Sequence, residues 1–249
     1  MSGHSKWANI KHRKGKQDAA RGKAFTKLIR EITVAAREGG GDEASNARLR
    51  SAVLAGKAVN LPAANIERAI KKGIGELDGE SYEAAIYEGY GPGGVAMFVE
   101  VLTDNKNRTV SEVRHLFNKY NGSMAASGAV AWVFEQKGLI VVPKEGVEEE
   151  DLMMVALEMG AEDIVEEENT FEIFTPVADT DVVRKAVEEA GITIERSELT
   201  RIPQNSVEVE GKTAQQLLVL MEMLDDNDDV QRVYANFDIS DEELAIFTA

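Results

Sequence analysis

Apolar residues recur at helical spacing over the first 75 residues of the chain and predict three helices there. The first helix covers residues 18–38 and stops at three consecutive glycines, residues 39–41. The second covers residues 44–60. The third begins at Leu61-Pro62, because proline suits a first helical turn, and ends at Gly73. The apolar positions are Phe25, Leu28, Ile29 and Ile32 in the first helix, Leu49, Val53 and Val59 in the second, and Ile66, Ala69 and Ile70 in the third.

Alternation of side chains replaces the helical spacing after residue 79 and predicts strands. Strands are expected at residues 82–87 and 95–102, and both faces of the second are apolar, which is typical of a central strand. The sequence Thr109-Val110-Ser111-Glu112 resembles a capping box and predicts the start of a helix that ends at Asn121-Gly122. A further strand is expected at residues 129–134.

Residues 137–203 show the order strand, helix, strand, strand, helix, strand, which is that of the ferredoxin-like split unit. Its strands are expected at residues 139–142, 163–167, 170–175 and 192–199, and its helices at residues 149–159 and 179–190. Another strand, helix and strand follow at residues 207–210, 213–224 and 230–237.

These patterns predict an α+β multidomain fold, with a three-helix domain followed by two ferredoxin-like α+β domains, one inserted in the other. The helical domain with its N-terminal arm covers residues 1–79. The first α+β domain is formed by residues 80–136 together with residues 204–249. The inserted domain covers residues 137–203.

Charge is segregated along the chain. The net charge is −16, from 28 Lys and Arg against 44 Asp and Glu. Residues 1–75 nevertheless contain 16 Lys and Arg and only 6 Asp and Glu, so the acidic excess lies entirely in the remainder. Such asymmetry predicts a polyanion-binding end attached to an acidic body.

Cations are densest in residues 1–30, where Asp18 is the only acidic residue. Lysine and arginine neutralise phosphates, and an aromatic ring stacks on an unpaired base. The predicted nucleic-acid contact residues are Lys6, Trp7, Lys11, His12, Arg13, Lys14, Lys16, Arg21, Lys23 and Lys27. The alternative interpretation is a solvated surface, or a strip that docks on the acidic body.

Two further motifs fail on their context. Residues 89–94 satisfy Gly-x-Gly-x-x-Gly, but a strand follows where a dinucleotide site needs a helix, so a glycine-rich hairpin connection is expected. Asp225, Asn227 and Asp229 resemble the opening of a calcium loop, yet Val230 and Asn236 stand where glycine and glutamate are needed. We expect this acidic cluster to form an exposed turn after a helix.

Catalytic and cofactor chemistry is not indicated. The chain contains no cysteine, and its three histidines, His4, His12 and His115, lack the spacing of zinc ligands. We therefore predict a protein without catalytic residues, cofactor or metal. Neither a signal peptide nor an apolar run of about 18 residues is present, so a cytoplasmic location without a membrane partner is expected.

Several segments resemble one known family. Residues 3–14, Gly-His-Ser-Lys-Trp-Ala-Asn-Ile-Lys-His-Arg-Lys, closely resemble the opening of the YebC family. The resemblance extends over Leu61-Pro62, residues 65–70, residues 87–94, Thr103-Asp104-Asn105 with Asn107-Arg108-Thr109, and residues 128–134. Members of that family are catalogued as probable transcriptional regulators, and a mitochondrial relative is the translational activator of cytochrome c oxidase.

The resemblance implies three domains and no catalytic residues, and it implies contacts through Lys6, Trp7, Lys11, His12, Arg13 and Lys14, with Arg21, Lys23 and Lys27 as further candidates. The first hypothesis is a DNA-binding transcriptional regulator. The second is a ribosome-associated translation factor that binds ribosomal RNA. The third is an enzyme or a protein-binding adaptor. A base-reading helix-turn-helix is not identifiable, so recognition led by phosphate contacts is expected.

Overall fold

The computed structural model describes residues 18–78, 81–240 and 242–243, with side chains from residue 22 onward. The chain divides into two compact units. The first contains the described residues up to Val133 and those from Pro203 onward, and the second is Phe134–Ile202. The sequence placed the inserted domain at residues 137–203, close to the second unit. The separation of residues 1–79 from the rest of the first unit stays a prediction.

The described residues of the first unit begin with three helices, as predicted. They are α1 (Asp18–Gly39), α2 (Ala47–Ala58) and α3 (Ala63–Gly73). Their core contains the predicted apolar positions Ile32, Leu49, Val53 and Ile66. The prediction that Val59 also belongs there is wrong, because Val59 follows the last turn of α2 and is exposed. A buried side chain, Asn46, joins α1 to α2, because its Oδ1 accepts the Leu49 N–H at 3.0 Å while its Nδ2 donates to the Ala35 and Gly40 carbonyls at 2.8 Å.

Helices α1 and α3 cross at unusually short distance. A Cβ atom placed on Gly73 would lie 2.4 Å from the Thr33 carbonyl oxygen and 2.7 Å from the Ala36 Cβ. Only glycine therefore fits at this crossing, and α1 is buried from Ile32 to Ala36 on all sides.

The first unit continues with a four-stranded antiparallel sheet. Its elements are β1 (Glu83–Tyr90), a 3₁₀ turn (Pro92–Gly94), β2 (Ala96–Thr103), α4 (Lys106–Lys119) and β3 (Ser123–Met124), followed after the second unit by β8 (Val207–Glu208), α7 (Gly211–Asp225), β9 (Val230–Ala235) and β10 (Phe237–Asp238). The sheet order is β3-β1-β2-β9, so β2 is central, as predicted. Strands β8 and β10 form a separate parallel pair.

Helices α4 and α7 cover one face of this sheet. Val113 and Phe117 of α4 and Leu217 and Met221 of α7 are fully buried against strand residues such as Val99. Strands β2 and β3 both run antiparallel to β1, which lies between them, and α4 connects them. This is the arrangement of a split unit, but the intervening strand precedes the other two in the chain instead of following them.

Two predictions about this sheet are wrong. Helix α4 does not start at Thr109, because Asn105 provides the cap a turn earlier by accepting the Arg108 N–H at 3.1 Å. The strand expected at residues 129–134 is absent from residues 129–133 and begins only at Phe134. Ala131–Val133 form a 3₁₀ turn, since the backbone N–H groups of this segment bind the carboxylate of Glu88 instead of a neighbouring strand.

The second unit has the predicted ferredoxin-like topology. Its elements are β4 (Phe134–Pro143), α5 (Glu149–Glu158), β5 (Asp163–Glu166), β6 (Thr170–Thr175), α6 (Thr180–Glu189) and β7 (Arg196–Pro203). The sheet order β5-β6-β4-β7 places the first and third strands of the unit at the centre. The last strand begins at Arg196, four residues after the predicted start at Ile192, which instead packs against the core of the unit. None of the helices in the described part of the chain is both long and apolar enough to cross a membrane.

The α1–α3 crossing gives a first testable prediction. Alanine normally stabilises a helix interior relative to glycine by about 1 kcal/mol, but Gly73→Ala forces α1 and α3 apart. We expect it to lower the free energy of unfolding by about 1–3 kcal/mol, measured by urea denaturation. The matched control is Gly22→Ala in α1, where a Cβ would meet no atom within 4 Å and stability should rise slightly. Equal effects at both positions would contradict the crossing geometry.

Candidate nucleic-acid interface

Seven of the ten predicted contact residues precede α1. Lys6, Trp7, Lys11, His12, Arg13, Lys14 and Lys16 lie outside the described residues. Arg21 belongs to α1, and its side chain is likewise outside the described part. The structure therefore describes two predicted side chains, Lys23 and Lys27, and the nucleic-acid contacts of all ten stay a prediction.

Lys23 and Lys27 contact the turn between α7 and β9, residues 225–229, which we call the acidic turn. The Lys23 Nζ lies 3.0 Å from a carboxylate oxygen of Asp226, and the Lys27 Nζ donates to the Asp225 carbonyl at 2.7 Å. Arg30, one turn further along α1, forms an ion pair with Asp229 at 2.7 Å. These cations of α1 are thus engaged by acidic residues of their own chain.

The cations of α1 that contact the rest of the unit form a single stripe. Lys23, Lys27, Arg30 and Arg37 occur at helical spacing, and Arg37 donates to Ser81 and to the Tyr82 carbonyl. The apolar stripe of α1 packs on α2 and α3 instead. Sequence analysis found only the apolar stripe, although the regular interval between the four cations was a visible sign of a second contact face.

Asp229 is the centre of the contact between α1 and the sheet. Its side chain is 4% exposed and accepts hydrogen bonds from Arg30 and Arg108 at 2.7 Å, from Thr109 at 2.6 Å and from Thr103 at 3.0 Å. The acidic turn follows a helix as predicted. The prediction that the whole turn is exposed was wrong, because Asp229 is buried. Hydrogen bonds from two arginines and two hydroxyls offset the cost of burying its charge.

These contacts also change the acidity of the groups involved. Burial alone would raise the pKa of Asp229, but the hydrogen bonds from Arg108, Thr109, Thr103 and Arg30 outweigh it and hold the pKa below its usual value. The pKa of Arg108 is raised by its hydrogen bond to Asp229 and, to a smaller extent, by its hydrogen bond to Asp104. Asp229 is therefore ionised in its pairing with the two arginines, and no metal-binding cluster occurs among the described residues.

Helix α3 presents a second set of cations. Arg68, Lys71 and Lys72 lie away from the buried Ile66 and Ala69. Lys71 pairs with Glu67 one turn earlier, at 2.9 Å. None of these three cations was among the contact residues predicted from the sequence.

A different site lies at the end of β1, where the buried Glu88 binds backbone N–H groups. Its carboxylate accepts from Gly128 at 2.6 Å, Val130 at 2.7 Å and Ala131 at 2.9 Å. Burial would raise the pKa of Glu88, but these three bonds lower it below its usual value. The carboxylate thereby fixes the segment 125–133, which we call the Glu88 loop.

Two exposed aromatic residues lie in or next to the Glu88 loop. Tyr90 ends β1, and Trp132 lies in the loop itself. Gly93 and Gly94, in the connection to β2, both have φ of +79°, which suits glycine. Strand β2 follows this connection directly, so the glycine motif joins two antiparallel strands, as the sequence predicted.

Two family models together match most of the chain. The model described as the TACO1/YebC protein N-terminal domain matches residues 5–76, and the model of the TACO1/YebC second and third domain matches residues 82–237. The chain belongs to the TACO1/YebC family. The resemblance stated from the sequence is therefore confirmed, and the two matches cover both described units.

Relatives of this TACO1/YebC chain are similar over almost their full length. A "probable transcriptional regulatory protein" of Desulforapulum autotrophicum is 60% identical over 97% of this chain and 98% of its own. One of Geobacter sulfurreducens is 59% identical over 98% of both. The crystal structure of a conserved hypothetical protein from Aquifex aeolicus is 50% identical, covers 91% of this chain and 94% of its own, and gives a TM-score of 0.84.

The Glu88 loop gives a second prediction. In Glu88→Gln the amide NH₂ faces a backbone N–H that has lost its acceptor, so we expect a loss of about 2–3 kcal/mol in the free energy of unfolding. Urea denaturation followed by tryptophan fluorescence measures it. The control is Glu83→Gln, an exposed carboxylate of the same strand, which should leave stability unchanged. An equal response in both variants would contradict a buried anchoring role for Glu88.

Asp229 gives a prediction for pH dependence. Because its pKa is depressed in the folded state, it stabilises the fold above its unfolded pKa of about 3.9, and this contribution disappears as pH falls through the folded pKa. We expect Asp229→Asn to be less stable than the unmodified chain by about 3 kcal/mol at pH 7. The difference should shrink below about pH 4, measured by urea denaturation across pH. A difference that is constant with pH would contradict this account.

Proposed function

We propose that this TACO1/YebC chain is a nucleic-acid-binding regulator of gene expression that contacts phosphates through its basic N-terminal region. The observation that carries the proposal is charge segregation: residues 1–75 hold 16 Lys and Arg against 6 Asp and Glu in a chain of net charge −16. The names of the relatives, "probable transcriptional regulatory protein", support a role in transcription with DNA as the target.

The contacts of α1 narrow the set of phosphate-binding residues. Lys23 and Lys27 already contact the acidic turn, so their share in binding is secondary. The principal contacts are assigned to the cations of residues 6–16, with Trp7 among them. Arg68 and Lys72 on α3 add a second place where a phosphate chain is neutralised.

Ribosomal RNA is the second candidate target, and one structural observation favours it. Helix α1, the longest helix of the basic region with 22 residues, is buried from Ile32 to Ala36. A helix enclosed in this way does not enter a DNA major groove along its length. Recognition through phosphates and shape suits a structured RNA, and the chain would then act as a ribosome-associated translation factor.

The acidic second unit is compatible with both targets. Residues 134–202 contain 19 Asp and Glu against 6 Lys and Arg. A phosphate chain is repelled by such a surface, so binding is confined to the basic region. We therefore assign no nucleic-acid contact to the second unit, and no catalytic residue or cofactor to the chain.

The test replaces four N-terminal cations, Lys6, Lys11, Arg13 and Lys14, by glutamine. Each phosphate contact contributes about 0.9 to the slope of log affinity against log salt on a DNA duplex, so the slope should flatten by about three to four. Binding to duplex DNA and to ribosomal RNA is measured at several salt concentrations. The matched control replaces Lys106, Lys144, Lys185 and Lys212, which changes the net charge equally.

The outcomes separate the hypotheses. Equal slopes for the two quadruple variants would refute the N-terminal contact. Co-sedimentation with ribosomes, lost only in the N-terminal variant, would establish the translation factor. Saturable preference for one promoter sequence would establish the transcriptional regulator.

A further inference from the structure

Trp132 has the largest exposed fraction of the large apolar side chains that the structure describes. Its side chain is 66% exposed, and the neighbouring Tyr90 is 40% exposed. Their polar atoms converge on one acceptor, because the Trp132 Nε1 donates to the Ala129 carbonyl at 3.0 Å and the Tyr90 hydroxyl donates to the same oxygen at 3.4 Å. Both residues are thus anchored to one carbonyl oxygen and keep accessible surface, and we call the pair the aromatic platform.

The segment that carries Trp132 is fixed along its length. Three N–H groups of the Glu88 loop bind the Glu88 carboxylate, and the Ala125 N–H donates to the Glu88 carbonyl at 2.8 Å. At the other end, the Val133 carbonyl accepts the Gln204 N–H at 2.8 Å. A ligand that binds the platform therefore does not have to order the loop, which lowers the entropic cost of binding.

The two stretches of chain that carry the platform contain no acidic residue, and the neighbouring Glu88 is buried. Residues 113–134 and 89–99 contain no Asp or Glu, although the net charge of the chain is −16. The first of these stretches includes Arg114 and Lys119. The end of α4 that bears Lys119 lies beside β1, because a Cβ atom on Gly122 would meet the Tyr90 carbonyl at 2.7 Å.

We propose that Tyr90 and Trp132 form a stacking site for an unpaired base of a single-stranded nucleic acid, with Lys119 placed to meet an adjacent phosphate. The inference rests on the proposed function and specifies its ligand. Bases stack on exposed aromatic rings irrespective of sequence, and the absence of Asp and Glu from residues 89–99 and 113–134 reduces repulsion of the phosphate chain.

The hydrogen bonds of the platform favour a base over a peptide. Both ring donors already bind the Ala129 carbonyl, so each ring offers its face and not a hydrogen bond. A flat base gains its binding energy from the ring face. A proline-rich segment also docks on aromatic residues, but the ring donors that would bind its backbone carbonyls are already engaged here.

Trp132 can be observed directly, because the chain contains only one other tryptophan, Trp7. In the full chain carrying Trp7→Phe, the emission of Trp132 is titrated with a single-stranded RNA of mixed sequence. We expect saturable quenching by this RNA. An oligonucleotide of the same length with abasic sugars, which keeps the phosphates and lacks the bases, should not quench.

Fluorescence anisotropy of the labelled RNA then gives the affinity of each variant. We expect Trp132→Ala to bind about 5- to 100-fold more weakly and Trp132→Phe to recover most of the affinity. The control is Met154→Ala in the second unit, a side chain of similar exposure at 63%, which should bind like the unmodified chain. Thermal unfolding of each variant shows that the fold is retained.

Three results would overturn the inference. If RNA binding is unaffected by Trp132→Ala and RNA does not quench the emission of Trp132, the stacking site is refuted. The proposed function is left intact by that result. Failure of the unmodified chain to bind either DNA or RNA would refute both the stacking site and the proposed function. Saturable quenching by a proline-rich peptide, with none by RNA, assigns the platform to a protein partner.

Discussion

The ionised, buried carboxylate of Asp229 is the interaction on which the arrangement of the first unit depends. It accepts hydrogen bonds from Arg30 of the helical region and from Arg108, Thr103 and Thr109 of the sheet region. A carboxylate buried in this way is costly unless all its lone pairs are used, so removal of either arginine would leave an uncompensated charge. Residues far apart in the chain are thereby required to meet at one place, which fixes α1 against β2, α4 and the acidic turn.

This constraint divides the basic residues of the N-terminal region into two groups. The stripe of Lys23, Lys27, Arg30 and Arg37 is part of the fold, because each member contacts the rest of the unit. Arg68 and Lys72 on α3 make no such contact among the described residues. The surplus of positive charge in the sequence therefore overstates what is available to a nucleic acid. Of the two interpretations offered by the sequence, the docking strip applies to Lys23, Lys27 and Arg30, and the phosphate-binding arm stays a prediction.

Regular periodicity made most of the fold predictable, and local sequence rules failed where tertiary contacts decided. The apolar stripe of α1 and the doubly apolar strand β2 were read correctly, since each repeats one signal over many residues. Thr109 was predicted to cap a helix, but its hydroxyl donates a hydrogen bond to Asp229. Residues 129–134 were predicted to form a strand, but N–H groups of this segment bind Glu88. The cap at Asn105 is a local signal, whereas the carboxylates that Thr109 and Val130 bind are distant in sequence, and no local pattern reveals those two contacts.

Glu88 and Asp229 solve the same physical problem with different donors, and the difference bears on what each can do. Asp229 is neutralised by arginines and so couples two regions of the chain through charge. Glu88 is satisfied by neutral backbone N–H groups and so orders one short segment without bringing a cation there. The Glu88 loop is held by hydrogen bonds to its backbone and does not need its side chains to pack. Trp132 can therefore remain exposed although the loop is fixed. A rigid exposed ring is the form of aromatic residue that binds a partner with least loss of entropy.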